Sequence, residues 1–185
     1  LVHFQLTLDT LLALKGDSQI WPDDDTFRSA WLSRPLYQSL RAGKTRMLLE
    51  ALELAQRTSK QENVPLPGGL TIEHVMPQAW EPDEWPIADP AETGKVIRNQ
   101  LLHTIGNLTL VTQPLNSALS RGPFKNKRPE ITKSLLMLNS YFQRDEFCSA
   151  TAVWNEEIIM KRSSELFIVA KNVWPRRSSE LEASR

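Results

Sequence analysis

Four polar residues stand where chemistry could be done. Glu73 and His74 adjoin inside the otherwise apolar run Leu70-Thr71-Ile72-Glu73-His74-Val75-Met76. Asn107 opens a second run, Asn107-Leu108-Thr109-Leu110-Val111-Thr112, and Asn116 follows nine positions later. The histidines are His3, His74 and His103, so an imidazole inside an apolar run, next to a carboxylate, stands out. Imidazole takes a proton from water near neutral pH. Carboxylate and Asn amide oxygens are hard ligands suited to magnesium or manganese. Two such ligands leave most of the coordination shell to water and a substrate phosphate, as a catalytic divalent cation needs. Each residue also has a plainer reading. A strand histidine can be a hydrogen-bonded core residue. Glu73 can pair with an arginine, Asn107 after Gly106 can be a turn residue, and Asn116 after Pro114 can sit in a helix's first turn.

The elements that must position these residues follow from pattern. Phe4, Leu8, Leu11 and Leu12 have helical spacing and Gly16 stops the run. Pro22 and Asp23 open a second helix to about residue 32, and Leu48, Leu49, Leu52 and Ala55 mark a third over 44–57. Pro65, Pro67, Gly68 and Gly69 make 60–69 a loop. The β-branched run 70–76 reads as a strand ended by Pro77, and 107–112 as a second. Adjacent strand residues point to opposite faces, so Glu73 and His74 can cooperate only where the strand ends or bends. Trp80 to Pro90 is an irregular excursion. Helices are expected over 92–103, from Pro114 to Leu119, over 127–138 and over 151–173, where Arg162 interrupts an apolar stripe of Ile158, Leu166, Val169 and Val173. The fold class is α+β, mostly helical, with a two-stranded antiparallel sheet embedded among helices.

The 185 residues make one compact domain. Residues 1–60 are a helical lead-in packed on a core at 70–140, 141–175 a C-terminal helical region and 176–185 a polar tail. A lone cysteine, Cys148, excludes a disulfide scaffold and zinc sites built from cysteine pairs. The chain starts at Leu1 without a signal-peptide pattern or an apolar run of about 20 residues. It reads as a fragment of a longer cytoplasmic protein, not bound to a membrane. The 22 basic and 22 acidic residues cancel, yet they are segregated. Glu73 to Glu92 carries six acids and no Lys or Arg; Lys95 to Lys133 carries seven bases and one acid, Glu130. Such a split suits a metal site beside a phosphate-contacting surface, although two solvated faces would produce it too.

Taken together, the Glu-His pair, the Asn opening the next strand and the Asn on the following helix resemble the ββα-metal, or HNH, nuclease motif. A wider resemblance covers almost the whole chain. Trp21-Pro22-Asp23, Arg34-Pro35-Leu36-Tyr37 and Met47-Leu48-Leu49-Glu50-Ala51-Leu52-Glu53 are similar to the lead-in of the GmrSD-type restriction endonuclease C-terminal domain. Ile72 to Gln78, His103 to Leu110, and Leu115-Asn116-Ser117 with Gly122-Pro123-Phe124 and Lys127-Arg128 are similar to its three core motifs. Two departures are Glu73, where Asp is more usual, and Arg121, where Asn often precedes Gly-Pro-Phe.

The resemblance implies a metal-dependent endonuclease that cleaves DNA as the effector of a bacterial antiviral defence protein, joined in that protein to an N-terminal nucleotide-hydrolysing domain. It implies His74 as general base, Asn107 as the residue that holds the loop carrying His74, and Glu73 and Asn116 as ligands of Mg²⁺, or alternatively Mn²⁺. Lys127 and Arg128 are candidate phosphate clamps, with Lys125 and Arg121 as weaker ones. His103 is expected to be a packed structural residue, and Trp80 and Trp85 core or lid residues. A nucleic-acid-binding or dimerisation module without turnover, and an RNA or nucleotide phosphodiesterase, stay open.

Overall fold

The computed structural model describes residues 22–60, 62, 64–119, 122–149 and 151–175. The helix expected over 4–14, Arg121 and the tail from 176 lie outside them. Helix α1 (Asp24–Ser33) starts where Asp23 accepts a hydrogen bond from the Thr26 N–H at 2.6 Å. Asp24 and Asp25 in its first turn suit the positive end of the helix dipole. Pro35 then redirects the chain into the short α2 (Leu36–Ser39). Helix α3 (Ala42–Ala55) buries Thr45, Leu49, Leu52 and Glu53, one face at helical spacing.

Strand β1 (Thr71–His74) pairs antiparallel with β2 (Leu108–Val111), in the register Thr71 with Val111, Ile72 with Leu110, Glu73 with Thr109 and His74 with Leu108. Both strands fall inside the expected runs and are shorter. Between them lie the irregular stretch 75–91, α4 (Glu92–Leu101) and a 3-10 turn, Ile105–Asn107. After β2 come α5 (Gln113–Ala118), α6 (Phe124–Ile131), α7 (Met137–Ser140), two 3-10 turns (Tyr141–Gln143, Asp145–Phe147) and α8 (Glu156–Val173).

The expected helix over 127–138 is instead two helices. Phe124, buried against Phe147 and Trp154, starts α6 three residues early. The chain leaves helix geometry after Ile131, and Leu136 is extended. That break lets the Leu138 N–H donate to Glu53 Oε2 at 2.9 Å and the Asn139 amide to Leu110 O at 2.8 Å. The last helix starts at Glu156, capped by Asn155, whose side chain accepts from the Ile158 N–H. Its inner face is Ile159, Arg162, Ser163, Leu166, Phe167 and Ala170, so Arg162 belongs to the buried face rather than interrupting it.

Two cores result. One, around Trp31, Leu49, Leu52, Leu110 and Phe167, joins the lead-in helices, one sheet face and α8. The other gathers Met76, Trp85, Phe124, Phe142, Phe147 and Trp154 around the loop that leaves β1. Between them α8 crosses the 3-10 turn so closely that a Cβ on Gly106 would lie 2.1 Å from the Ile159 carbonyl oxygen, which only glycine avoids.

Candidate active site

The alternation of β1 sorts its side chains. Thr71 and Glu73 face α5 and α6; Ile72 and His74 face the lead-in helices. On the first side, Asn116 of α5 donates from Nδ2 to Thr71 Oγ1 at 2.9 Å. This bond fixes which end of the amide is free: the nitrogen is engaged and Oδ1 is left to accept. Lys127 of α6 reaches back to the same strand. Its Nζ lies 2.5 Å from Glu73 Oε1 and donates to the His74 carbonyl oxygen at 2.7 Å.

Lys127, expected as a phosphate clamp, is therefore a correction: its side chain is 1% exposed and is spent on Glu73 and the strand. Burial lowers its pKa, and the Glu73 carboxylate opposes that shift. The other described bases diverge. Arg128 donates to Phe142 O at 3.0 Å and contacts Cys148 Sγ. Lys125 is exposed on a cleft of about 630 Å³ that it shares with Asp83 and Glu84. The sequence-local basic run is thus not one surface.

On the other side, His74 is 7% exposed. The Tyr37 ring meets it edge-on, centroids 4.4 Å apart, and its Nε2 lies 3.4 Å from His103 Nδ1. Burial first, then His103, then Lys127, hold the His74 pKa down at about 4, and burial lowers that of His103. Both rings are thus neutral at pH 7, the state in which imidazole can accept a proton. A pKa this far below neutrality also makes His74 a weak base in this state.

Asn107 joins the two strands' ends. Its Oδ1 accepts from the Met76 N–H and from Trp154 Nε1, and its Nδ2 donates to the carbonyl oxygens of Met76 and Leu102, all at 2.9 Å. The Val75 N–H donates to Asn107 O at 2.9 Å. The loop after His74 is thereby closed on one wholly buried side chain. Arg162 supports the turn from behind, donating to the carbonyl oxygens of Gly106 and Leu108 at 2.8 Å. Complete burial lowers its pKa to about 10, which leaves it charged.

A family model described as GmrSD restriction endonucleases, C-terminal domain, matches residues 21–169. The chain belongs to this family. It is therefore a domain of restriction-endonuclease type. No curated protein and no solved structure matches. In this GmrSD C-terminal domain, no described helix is long and apolar enough to cross a membrane.

Sequence reasoning missed Tyr37, Thr71, Trp154 and Arg162, and treated His103 only as packing. His103 lies four residues before Asn107, a proximity that could have drawn it toward the same loop. Tyr37 and Arg162 lie so far from the motif in sequence that spacing carries no signal for them.

Among the described residues no group of three or more His, Cys, Asp or Glu side chains gathers for a metal, so a cation here would rest on two protein oxygens. Glu73 and the free Oδ1 of Asn116 supply two hard ones. Glu73, with 16% of its side chain exposed, remains open to solvent, and only its Oε1 is bonded to Lys127. Both oxygens belong to residues on the side of the sheet that faces α5 and α6.

Proposed function

We propose that this domain hydrolyses DNA phosphodiester bonds as a metal-dependent nuclease with a ββα-metal, HNH-like core: β1 supplies Glu73 and His74, the 3-10 turn leading into β2 supplies Asn107, and α5 supplies Asn116. The observation that carries this is the Asn107 clamp, which fixes the end of β1 where Glu73 and His74 diverge to opposite sides.

His74 takes the proton of the attacking water. Asn107 holds the loop behind it, so that the imidazole is positioned before substrate arrives. Glu73 and Asn116 Oδ1 would hold the cation, Mg²⁺ or Mn²⁺, which when bound stabilises charge on the phosphate oxygens and the leaving oxygen. Lys127 orients Glu73 from beneath. The full-length protein is proposed to be cytoplasmic, to carry a nucleotide-hydrolysing N-terminal domain and to act in bacterial antiviral defence. A competing reading, a nucleic-acid-binding module without turnover, draws on the same Lys127 contact, because that ion pair satisfies the Glu73 carboxylate without a metal.

One assay compares plasmid, single-stranded DNA, RNA and mononucleotides, each with Mg²⁺, Mn²⁺ or chelator. Nicking of plasmid that chelator abolishes is expected. Binding of DNA without cleavage under every metal would establish the silent module; cleavage confined to RNA or mononucleotides would move the substrate.

A further inference from the structure

Two histidine rings meet in a buried pocket, and the nuclease reading uses only one of them. His74 Nε2 lies 3.4 Å from His103 Nδ1, with the rings at 85°. Tyr37 holds both: edge-on to His74 and stacked on His103 at 18°, centroids 6.0 Å apart. The Tyr37 N–H also donates to the His103 carbonyl oxygen at 3.2 Å, which ties α2 of the lead-in to the residue before Thr104. Among the described residues, the side-chain atoms sealed from solvent without a partner are those of Trp85, Tyr141, Arg162 and Ser163. His74 and His103 are each 7% exposed, and among the described residues no hydrogen bond engages His74 Nδ1 or His103 Nε2.

Two neutral imidazoles that share one N···N contact must divide the roles: one donates, the other accepts. If His103 donated from Nδ1, His74 would accept at Nε2 and carry its own proton on Nδ1. His74 Nδ1 would then have no lone pair for a proton. In the opposite arrangement His74 donates its Nε2–H to the His103 Nδ1 lone pair. His74 Nδ1 is then free to accept, and the donated bond strengthens when the ring becomes positively charged. A base oriented by a third group through its far nitrogen is a recurrent solution to this problem.

We infer that His103 is a positioning residue: its Nδ1 accepts from His74 Nε2–H, fixing His74 in the tautomer that leaves Nδ1 open, while Tyr37 clamps both rings. The catalytic use of this bond rests on the nuclease reading above; the bond itself does not.

The test uses the intact chain and two readouts. Long-range ¹H–¹⁵N correlation spectra report which nitrogen of His74 carries the proton, without reference to activity. Plasmid nicking with Mg²⁺ reports kcat and KM. His103→Leu removes the acceptor, and His103→Asn returns an amide oxygen close to the Nδ1 position. The expected result is an Nε2–H tautomer for His74 in the wild type and in His103→Asn, and a mixture in His103→Leu. The Leu variant should lose roughly 10- to 100-fold in kcat at unchanged KM, part of the 10²–10⁴ that a positioned base supplies, and the Asn variant should recover most of it. An Nδ1–H tautomer in the wild type overturns the inference, as does an unchanged tautomer in His103→Leu. Should the Leu variant not fold, the wild-type and Asn spectra still decide. Failure of the wild type to cleave any substrate would overturn the nuclease reading and not the hydrogen bond.

Discussion

Replacing Lys127 by Met separates a buried positioning lysine from a phosphate contact. Methionine keeps the length and apolar volume of the stem and removes the charge. Two charge-assisted bonds are lost, to Glu73 at 2.5 Å and to the His74 carbonyl oxygen at 2.7 Å. Such bonds contribute about 1.5–3 kcal/mol each. Glu73 is part-exposed and can rehydrate after the loss, which puts the total near the lower end, about 3 kcal/mol. For a chain of this size each kcal/mol lowers the thermal midpoint by about 2–4 °C, so a fall of roughly 6–12 °C is expected by calorimetry. A double-mutant cycle with Glu73→Gln should return a coupling of about 0.5–3 kcal/mol, as for residues in direct contact. DNA affinity should keep its wild-type salt slope, because no phosphate contact is removed. A midpoint within about 2 °C of wild type, together with a salt slope shallower by about one unit, would refute the buried pairing and restore Lys127 to the DNA-facing surface.

His74→Ala should cut the nicking rate by about 10²–10⁴, at a stability cost of about 1–2 kcal/mol for a void between Tyr37 and His103; rate and thermal midpoint are measured together, and a near-wild-type rate would exclude His74 as the base. The folded pKa of His74 is near 4, below the ordinary value of about 6.5, so the unfolded state binds the proton first. Stability should be full above about pH 6.5 and fall as pH drops toward 4, and His74→Phe should flatten that limb in acid denaturation curves. Asn107→Ala strips partners from the Met76 N–H and O, Leu102 O and Trp154 Nε1; a loss of about 3–5 kcal/mol is expected in urea unfolding, since several buried groups are orphaned at about 1–3 kcal/mol each. Glu73→Ala and Asn116→Ala should be partly rescued by raised Mg²⁺ in the nicking assay, and absence of any rescue in both would argue against their oxygens as ligands.

Much of this layout is legible in the residues. The β-branched runs around Ile72 and Leu110 leave little choice but strands, and Asp23 before an acidic turn marks a helix start. Two kinds of feature are not legible. Where a helix ends inside a polar run depends on partners far away: the break before α7 exists because Glu53 and Leu110 draw in the Leu138 and Asn139 backbone and side chain. The destination of a charge is equally hidden. Lys127 and Arg128 adjoin in sequence, yet the helical turn sends one inward to Glu73 and the other to Phe142. Arg162 shows the same effect in α8, where a buried cation is held by the Gly106 and Leu108 carbonyl oxygens and by the Tyr141 and Phe142 rings. The four motif residues were visible as types at a spacing, whereas their support by Tyr37, Trp154 and Arg162 is long-range packing.

The Trp154 and Arg162 bonds to the Asn107 turn bear on how portable the catalytic unit is. A graft of residues 70–131 into another scaffold would carry all four motif side chains. It would leave behind the indole that fills one lone pair of Asn107 and the guanidinium that engages two carbonyl oxygens of the turn. It would also leave Gly106 facing empty space where α8 had crossed it. Protein engineers seeking a minimal nuclease cassette from this family should therefore cut after α8, or rebuild a donor pair behind the turn. By the same reasoning, lineages that recombine this domain with new partners are expected to exchange it as one piece through residue 173, with crossovers concentrated outside the span from α1 to α8.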